Sequence, residues 1–141
     1  MGNPYSIFKR KKENSVKFFI IAGAINGFLS VALGAFGAHL LEGKVADKYL
    51  ATWGTAVQYQ MFHSLALIAI GILMSSKVFG PVSTLNTAGY LLLAGIVIFS
   101  GSLYVLSLTG ISILGAITPI GGLAFLAGWI MLIVAAVKYA N

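Results

Sequence analysis

The chain has 141 residues, 59% of them hydrophobic and only 9% charged, with a formal net charge of +6. Soluble domains are about one-quarter charged, so a core of this size cannot hide so much apolar surface, and lipid must cover it. The chain has no cysteine, which excludes disulfides, thiolate metal sites and thiol catalysis.

The positive charge reads as topology rather than as nucleic-acid binding. Five of the nine basic residues (Lys9, Arg10, Lys11, Lys12 and Lys17) precede or open the first apolar stretch. Residues 1–16 form a polar, basic cytoplasmic tail, expected to be mobile. Its Lys9–Lys12 cluster offers a contact to anionic headgroups, although a plain topology signal suffices. Met1-Gly2 followed by Ser6 matches a myristoylation pattern superficially.

A hydrocarbon core ~30 Å thick needs about 20 apolar helical residues. Four segments meet that length within a domain spanning 17–141: 17–41, 55–76, 86–108 and 119–137. The first is too long for a signal-peptide core and is read as retained. Glu42 to Gly54 separates the first two spans. Within it Val45, Tyr49 and Trp53 recur every four residues, while Asp47 and Lys48 fall on another face. This predicts a short interfacial amphipathic helix. A continuous helix from Val45 to Ser76 would be roughly 48 Å long at ~1.5 Å per residue, so a bend is expected near Gly54. Pro81 breaks the middle loop, and Thr84 or Asn86 is placed to cap the third helix. Thr109-Gly110 reads as its end, with glycine in the left-handed cap. Gly110 to Thr118 is uncharged and apolar, which predicts a tight interfacial loop or a shallow re-entrant turn. Thr118-Pro119 reads as an N-cap followed by proline at the first helical position.

With four spans, the N-terminus, middle loop and C-terminus share one side. Those segments carry Lys9, Arg10, Lys11, Lys12, Lys17, Lys77 and Lys138, against Lys44 and Lys48 opposite. The positive-inside rule then places both termini in the cytoplasm of a cell-membrane protein.

Small residues mark packing surfaces. Gly23, Gly27, Ser30, Gly34, Gly37 and Ala38 fall on one stripe of the first span, and Ala124 and Gly128 repeat the spacing in the fourth. Gly95 and Gly101 give small spots in the third. Such stripes let membrane helices approach closely. The alternative use is a groove for a lipid tail.

Polar residues inside the spans are few. Asn26 shares the face of the small stripe and is expected to hydrogen-bond to a neighbouring helix. Gln58, Tyr59, Gln60 and His63 cluster in the outer half of the second span, and His39 closes the first. An intramembrane ionisable group is a functional candidate. The plainer reading of His63 is a neutral imidazole bonded to Gln58, Tyr59 or a backbone carbonyl. Two histidines on different helices suit a b-type haem, but these differ in depth by about 10 Å at ~1.5 Å per residue. A proton relay lacks partners, since no Asp or Glu lies within a span.

No phosphate loop, His-Glu-x-x-His, nucleophile elbow or paired carboxylates occur. No catalytic residue, metal or cofactor is therefore expected, and the chain is read as a non-enzyme.

Several segments resemble one family as a set. They are Gly23-Ala24-Ile25-Asn26-Gly27, Gly34-Ala35-Phe36-Gly37-Ala38-His39, and Trp53 to His63. Gly101-Ser102-Leu103-Tyr104, Leu114 to Gly122 and Gly128-Trp129 complete it. The set resembles the YgdD/YwdK-type membrane proteins, the domain of unknown function 423 family, with transmembrane protein 256 a distant relative. The resemblance covers about Val16 to Lys138, and Met1 to Ser15 departs from it. It implies a four-span integral membrane protein without an established activity, and draws attention to Asn26, His39, Gln60 and His63.

The fold expected is all-α, a four-helix transmembrane bundle with an interfacial helix after the first span. Its partners are the lipid bilayer and other membrane helices, without nucleic acid. Two functions follow. One is a packing or interaction protein, either a homo-oligomer or an accessory subunit of a membrane complex. The other is a carrier or channel for a small or lipidic ligand, with a polar pocket open outward. Haem binding and proton relay rank below both.

Overall fold

The computed structural model describes the backbone of residues 4–140 and the side chains of residues 13–140. The Met1-Gly2 pattern and the Lys9–Lys12 side chains lie outside these described residues. The protein is an all-α membrane bundle of four long apolar helical stretches, Glu13–Leu41, Asp47–Leu73, Ser83–Thr109 and Ile113–Tyr139. Five α-helices build them: α1 (Pro4–Phe36), α2 (Asp47–Leu73), α3 (Ser83–Gly95), α4 (Gly101–Thr109) and α5 (Ile113–Tyr139). A π-helical turn, Gly37–Leu41, ends the first span, and a second, Ile96–Ser100, joins α3 to α4.

Inside lipid, every backbone amide must find its partner within the protein. This rule explains where the structure departs from the sequence reading. No separate interfacial helix follows the first span. Asp47 to Trp53 forms the first turns of α2, which runs through Gly54 without a break. A bend there would have freed amides at membrane depth, whereas the continuous helix pairs them. Likewise, the apolar stretch 110–118 is mostly helix. Only Gly110 to Ser112 connects α4 to α5, and Thr118 and Pro119 lie inside α5 rather than at its start. The Thr118 hydroxyl hydrogen-bonds to Ser102 (2.7 Å) and to the Leu114 carbonyl (3.1 Å). Neither Thr84 nor Asn86 caps α3. Val82 holds the cap position without a side-chain bond, and Thr84 Oγ1 and Asn86 Oδ1 are buried without partners. The expected tail is helical from Pro4 onward, because α1 runs unbroken into the first span. Gly110 does cap α4: its φ is +69°, and its N–H donates to the Leu106 carbonyl at 2.8 Å.

The spans form an open bundle. α1 packs along α2, α2 packs along the third span, and α5 packs on the other side of the third span. Among the described residues, α5 comes within 8 Å, Cα to Cα, of neither α1 nor α2. α2 and the third span therefore form the interior, with α1 and α5 on the flanks. Phe19, Leu67, Ile70, Leu85, Leu92 and Phe125 anchor the main apolar core. The outward faces of the flanking helices, such as Ile25 and Phe28 on α1 and Ile130 and Val137 on α5, remain exposed to lipid.

Close approach rests on glycine. A Cβ on Gly23 would stand 2.6 Å from the Ser64 carbonyl of α2, and one on Gly37 would stand 2.5 Å from the Trp53 ring. With lipid as apolar as the side chains, such dense packing is the main attraction between membrane helices.

Candidate functional site

Two polar constructions occupy the interior. The first ties three spans together by a directed chain of hydrogen bonds. The Tyr104 hydroxyl (α4) donates to Gln60 Oε1 at 2.7 Å. Gln60 Nε2 (α2) donates to Asn26 Oδ1 at 3.1 Å, and Asn26 Nδ2 (α1) donates to the Ala22 carbonyl at 2.9 Å. Each amide uses its oxygen in one direction and its nitrogen in the other, so both orientations are fixed by the chain. Gln60 is only 5% exposed and stands at the midpoint of α2. Beside this ladder, Trp53 Nε1 donates to the Leu33 carbonyl at 2.8 Å, and its ring meets Tyr104 edge-on at 4.6 Å. Ser100, in the second π-helical turn, donates to the Ala56 carbonyl at 2.9 Å. These bonds hold α2 to both its neighbours.

The second construction centres on His63, 4% exposed. Its Nδ1 lies 2.7 Å from the Tyr59 carbonyl. A carbonyl only accepts, so Nδ1 carries the proton. Nε2 is then free to accept from Trp129 Nε1, at 3.2 Å. The imidazole also stacks on Phe125, with centroids 3.6 Å apart and planes 10° from parallel. Thus α2 and α5, whose backbones stay apart, are bridged by His63 and its two aromatic partners, with Phe62 against Trp129 at 5.8 Å beside them.

The gap between those backbones is a cleft of about 810 Å³. Gln58, Tyr59, Phe62 and His63 line it from α2, and Phe99 from the second π-helical turn. Pro119, Gly122, Leu123, Phe125, Leu126 and Trp129 complete it from α5. Phe99 reaches its place because Gly121 leaves room for the π-helical backbone, and it stacks on Tyr59 at 4.5 Å. Phe62, Leu123 and Leu126 are exposed at the mouth. Gln58 also borders a second, smaller cleft of about 510 Å³ between α1 and α2.

The residues singled out from sequence therefore separate. Gln58, Tyr59 and His63 meet in the aromatic cleft. Asn26 and Gln60 belong to the ladder. His39 is exposed on the first π-helical turn, away from both, so no bis-histidine pair forms, and both nitrogens of His63 are already engaged. The cluster sits along the middle of α2, which starts at Asp47. His63 stands sixteen residues from that end and ten from Leu73. Gly23, Gly27, Gly34 and Gly37 all face α2, Ser30 is fully buried among them, and Gly128 receives Leu92. Ala124 is half-buried on α5. The glycines of the α1 stripe thus pack on α2 inside one chain, while Ala38 is exposed and borders the smaller cleft with Gly34 and Gly37.

Tyr104 and Trp129 were not singled out for a role by sequence reasoning, although both lie in the motifs that carry the family resemblance. Phe99 and Phe125 gave no signal at all, being apolar residues in apolar spans.

A family model described as "Protein of unknown function (DUF423)" matches residues 33–122. The chain belongs to the DUF423 family. The matched stretch of this DUF423 protein holds Gln58, Gln60, His63 and Tyr104, while Asn26, Phe125 and Trp129 fall outside it. The chain is 61% identical to the UPF0382 membrane protein YwdK of Bacillus subtilis over 124 residues, covering 88% of this chain and 99% of the relative. It is 56% identical to the UPF0382 membrane protein SH2409 of Staphylococcus haemolyticus and 53% to SAB0533 of Staphylococcus aureus. Both alignments span 126 residues, 89% of this chain and the whole of each relative. No solved structure matches the chain.

Proposed function

We propose that this multi-pass membrane protein is a binding protein for an amphiphilic molecule dissolved in the bilayer, which it holds in the aromatic cleft between α2 and α5. The carrying observation is that cleft itself. It is about 810 Å³ in volume, lined by rings, and opens between two helices whose backbones stay more than 8 Å apart, Cα to Cα. Ligand sites are commonly clefts of roughly 300–1,000 Å³ with mostly apolar walls and a few placed polar groups. The π-helical turn that carries Phe99 to the cleft adds support, since π-bulges concentrate at functional sites. The protein sits in the cell membrane with both termini cytoplasmic, on the distribution of its basic residues. It acts as a binder or carrier and not as a catalyst, because the cleft brings neutral rings and one amide to the ligand.

The interaction-protein reading loses its main support. The stripe that would dimerise α1 is the stripe that packs on α2.

The test uses vesicles containing phosphatidylcholine with a diazirine at mid-chain. After illumination, labelling is expected to concentrate on Phe62, Leu123 and Leu126 well above the equally exposed Ile25 and Phe28 of α1. Labelling that merely follows exposure would mean ordinary annular lipid and would remove the proposal.

A further inference from the structure

The cleft has a polar requirement that acyl chains do not meet. Among the described residues, neither the Gln58 amide nor the Tyr59 hydroxyl has a hydrogen-bond partner, and both line the cleft. Gln58 stands eleven residues along α2 from Asp47, roughly 16 Å at ~1.5 Å per residue. A polar group that faces lipid without a partner carries the cost of its lost water. The other polar groups nearby are saturated, since His63 is bonded at both nitrogens and Trp129 donates to it.

Three features restrict the occupant. First, the unpaired groups can supply N–H and O–H donors, so a ligand that offers acceptors satisfies them. Second, no side chain lining the cleft carries a fixed charge, so an anionic phosphate has no counter-ion there. Third, the walls are ring faces. Tyr59 stacks on Phe99 and His63 on Phe125, with Phe62 and Trp129 beside them. Flat π-surfaces favour offset or edge contact with another flat ring.

We infer that the cleft takes a neutral, planar ring bearing carbonyl oxygens on an apolar tail, the chemistry of a membrane-dissolved quinone. Gln58 and Tyr59 donate to the carbonyls, the aromatic walls hold the ring, and the tail leaves past Leu123 and Leu126 into lipid. The inference rests on the cleft reading above and names the class of molecule it binds.

Competition against the diazirine lipid separates the two. The probes are a 1,4-naphthoquinone with a ten-carbon chain and plain naphthalene with the same chain. The quinone is expected to protect Phe62, Leu123 and Leu126 from labelling at roughly tenfold lower concentration than the naphthalene, the scale of one or two net hydrogen bonds. Gln58→Leu and Tyr59→Phe are each expected to shrink that ratio several-fold without altering protection by naphthalene. Both side chains are exposed, so the variants should fold, and circular dichroism of each confirms it. Equal protection by the two probes, or none from the quinone while the lipid still concentrates in the cleft, overturns the quinone inference and leaves the binding proposal standing. Loss of cleft labelling in the unmodified protein without any probe overturns both.

Discussion

At the scale of single residues, Gln60 carries the greatest structural burden. Among the described residues it is the only side chain hydrogen-bonded to both α1 and α4, and it is almost fully buried. Interhelical hydrogen bonds in membranes contribute about 1 kcal/mol or somewhat less each. Gln60→Leu removes two and strands Asn26 Oδ1 and the Tyr104 hydroxyl, so a loss of about 1–3 kcal/mol is expected. Tyr104→Phe removes one and should cost about 1 kcal/mol or less. The double variant should cost little more than Gln60→Leu alone, because the two share a bond. Thermal unfolding in mild detergent reads all three, and strictly additive losses would contradict the ladder. For His63, truncation acts differently. His63→Ala removes the bridge between α2 and α5 and releases the Trp129 indole N–H, so Trp129 fluorescence is expected to change in intensity and wavelength. An unchanged emission spectrum would argue that the bridge does not exist in solution.

At the scale of elements, the glycines divide into those that admit a neighbour and those that do not. Gly23→Ala would drive a methyl against the Ser64 carbonyl and the Ile68 backbone nitrogen, at 2.6 and 3.0 Å. Backbone cannot swing aside, so α1 must shift off α2. Overpacking of this kind costs about 1–3 kcal/mol. Gly54 is the opposite case. It lies inside α2, and nothing stands within 4 Å of an added Cβ. Gly54→Ala is therefore expected to stabilise by about 0.5–1 kcal/mol through helix propensity alone. Melting the pair side by side checks both signs. Had a bend existed at Gly54, alanine there would have been unfavourable, so the same measurement tests the continuity of α2.

At the scale of the whole molecule, the open arrangement of the spans matters most. The α1 stripe is spent on α2, and the outward faces of α1 and α5 are bulky rather than small. The protein is accordingly expected to run as a monomer in mild detergent by light scattering. A stable dimer would restore the interaction-protein reading. Orientation is testable without background because the chain has no cysteine. Lys44→Cys, in the loop before α2, is expected to react with an impermeant maleimide on intact cells. Lys77→Cys, in the middle loop, should react only after lysis. The reverse pattern would invert the topology.

Much of the fold was legible in the sequence. Four apolar lengths, the basic asymmetry and the glycine spacing follow from the chain itself, because the bilayer imposes a length and a periodicity on whatever crosses it. Helix continuity was less legible. Gly54, Pro119 and the apolar segment 110–118 read locally as breaks, but unpaired amides are too costly in lipid, and helix won at Gly54, at Pro119 and from Ile113 onward. The site was legible only in part. Asn26, Gln58, Gln60 and His63 stood out as polar residues in apolar spans, yet nothing local sorted them into a ladder and a cleft. That sorting depends on which spans touch. Only the tertiary arrangement, with α5 packed on the third span and held away from α2, brings Phe99, Phe125 and Trp129 around His63. The sequence by itself determined that this chain is a four-span membrane protein with a small-residue face on its first helix. The tertiary structure alone decided that this face is used internally and that an aromatic cleft is left open, since contacts between distant helices are set by packing across the bundle and leave no trace in the local pattern of any one span.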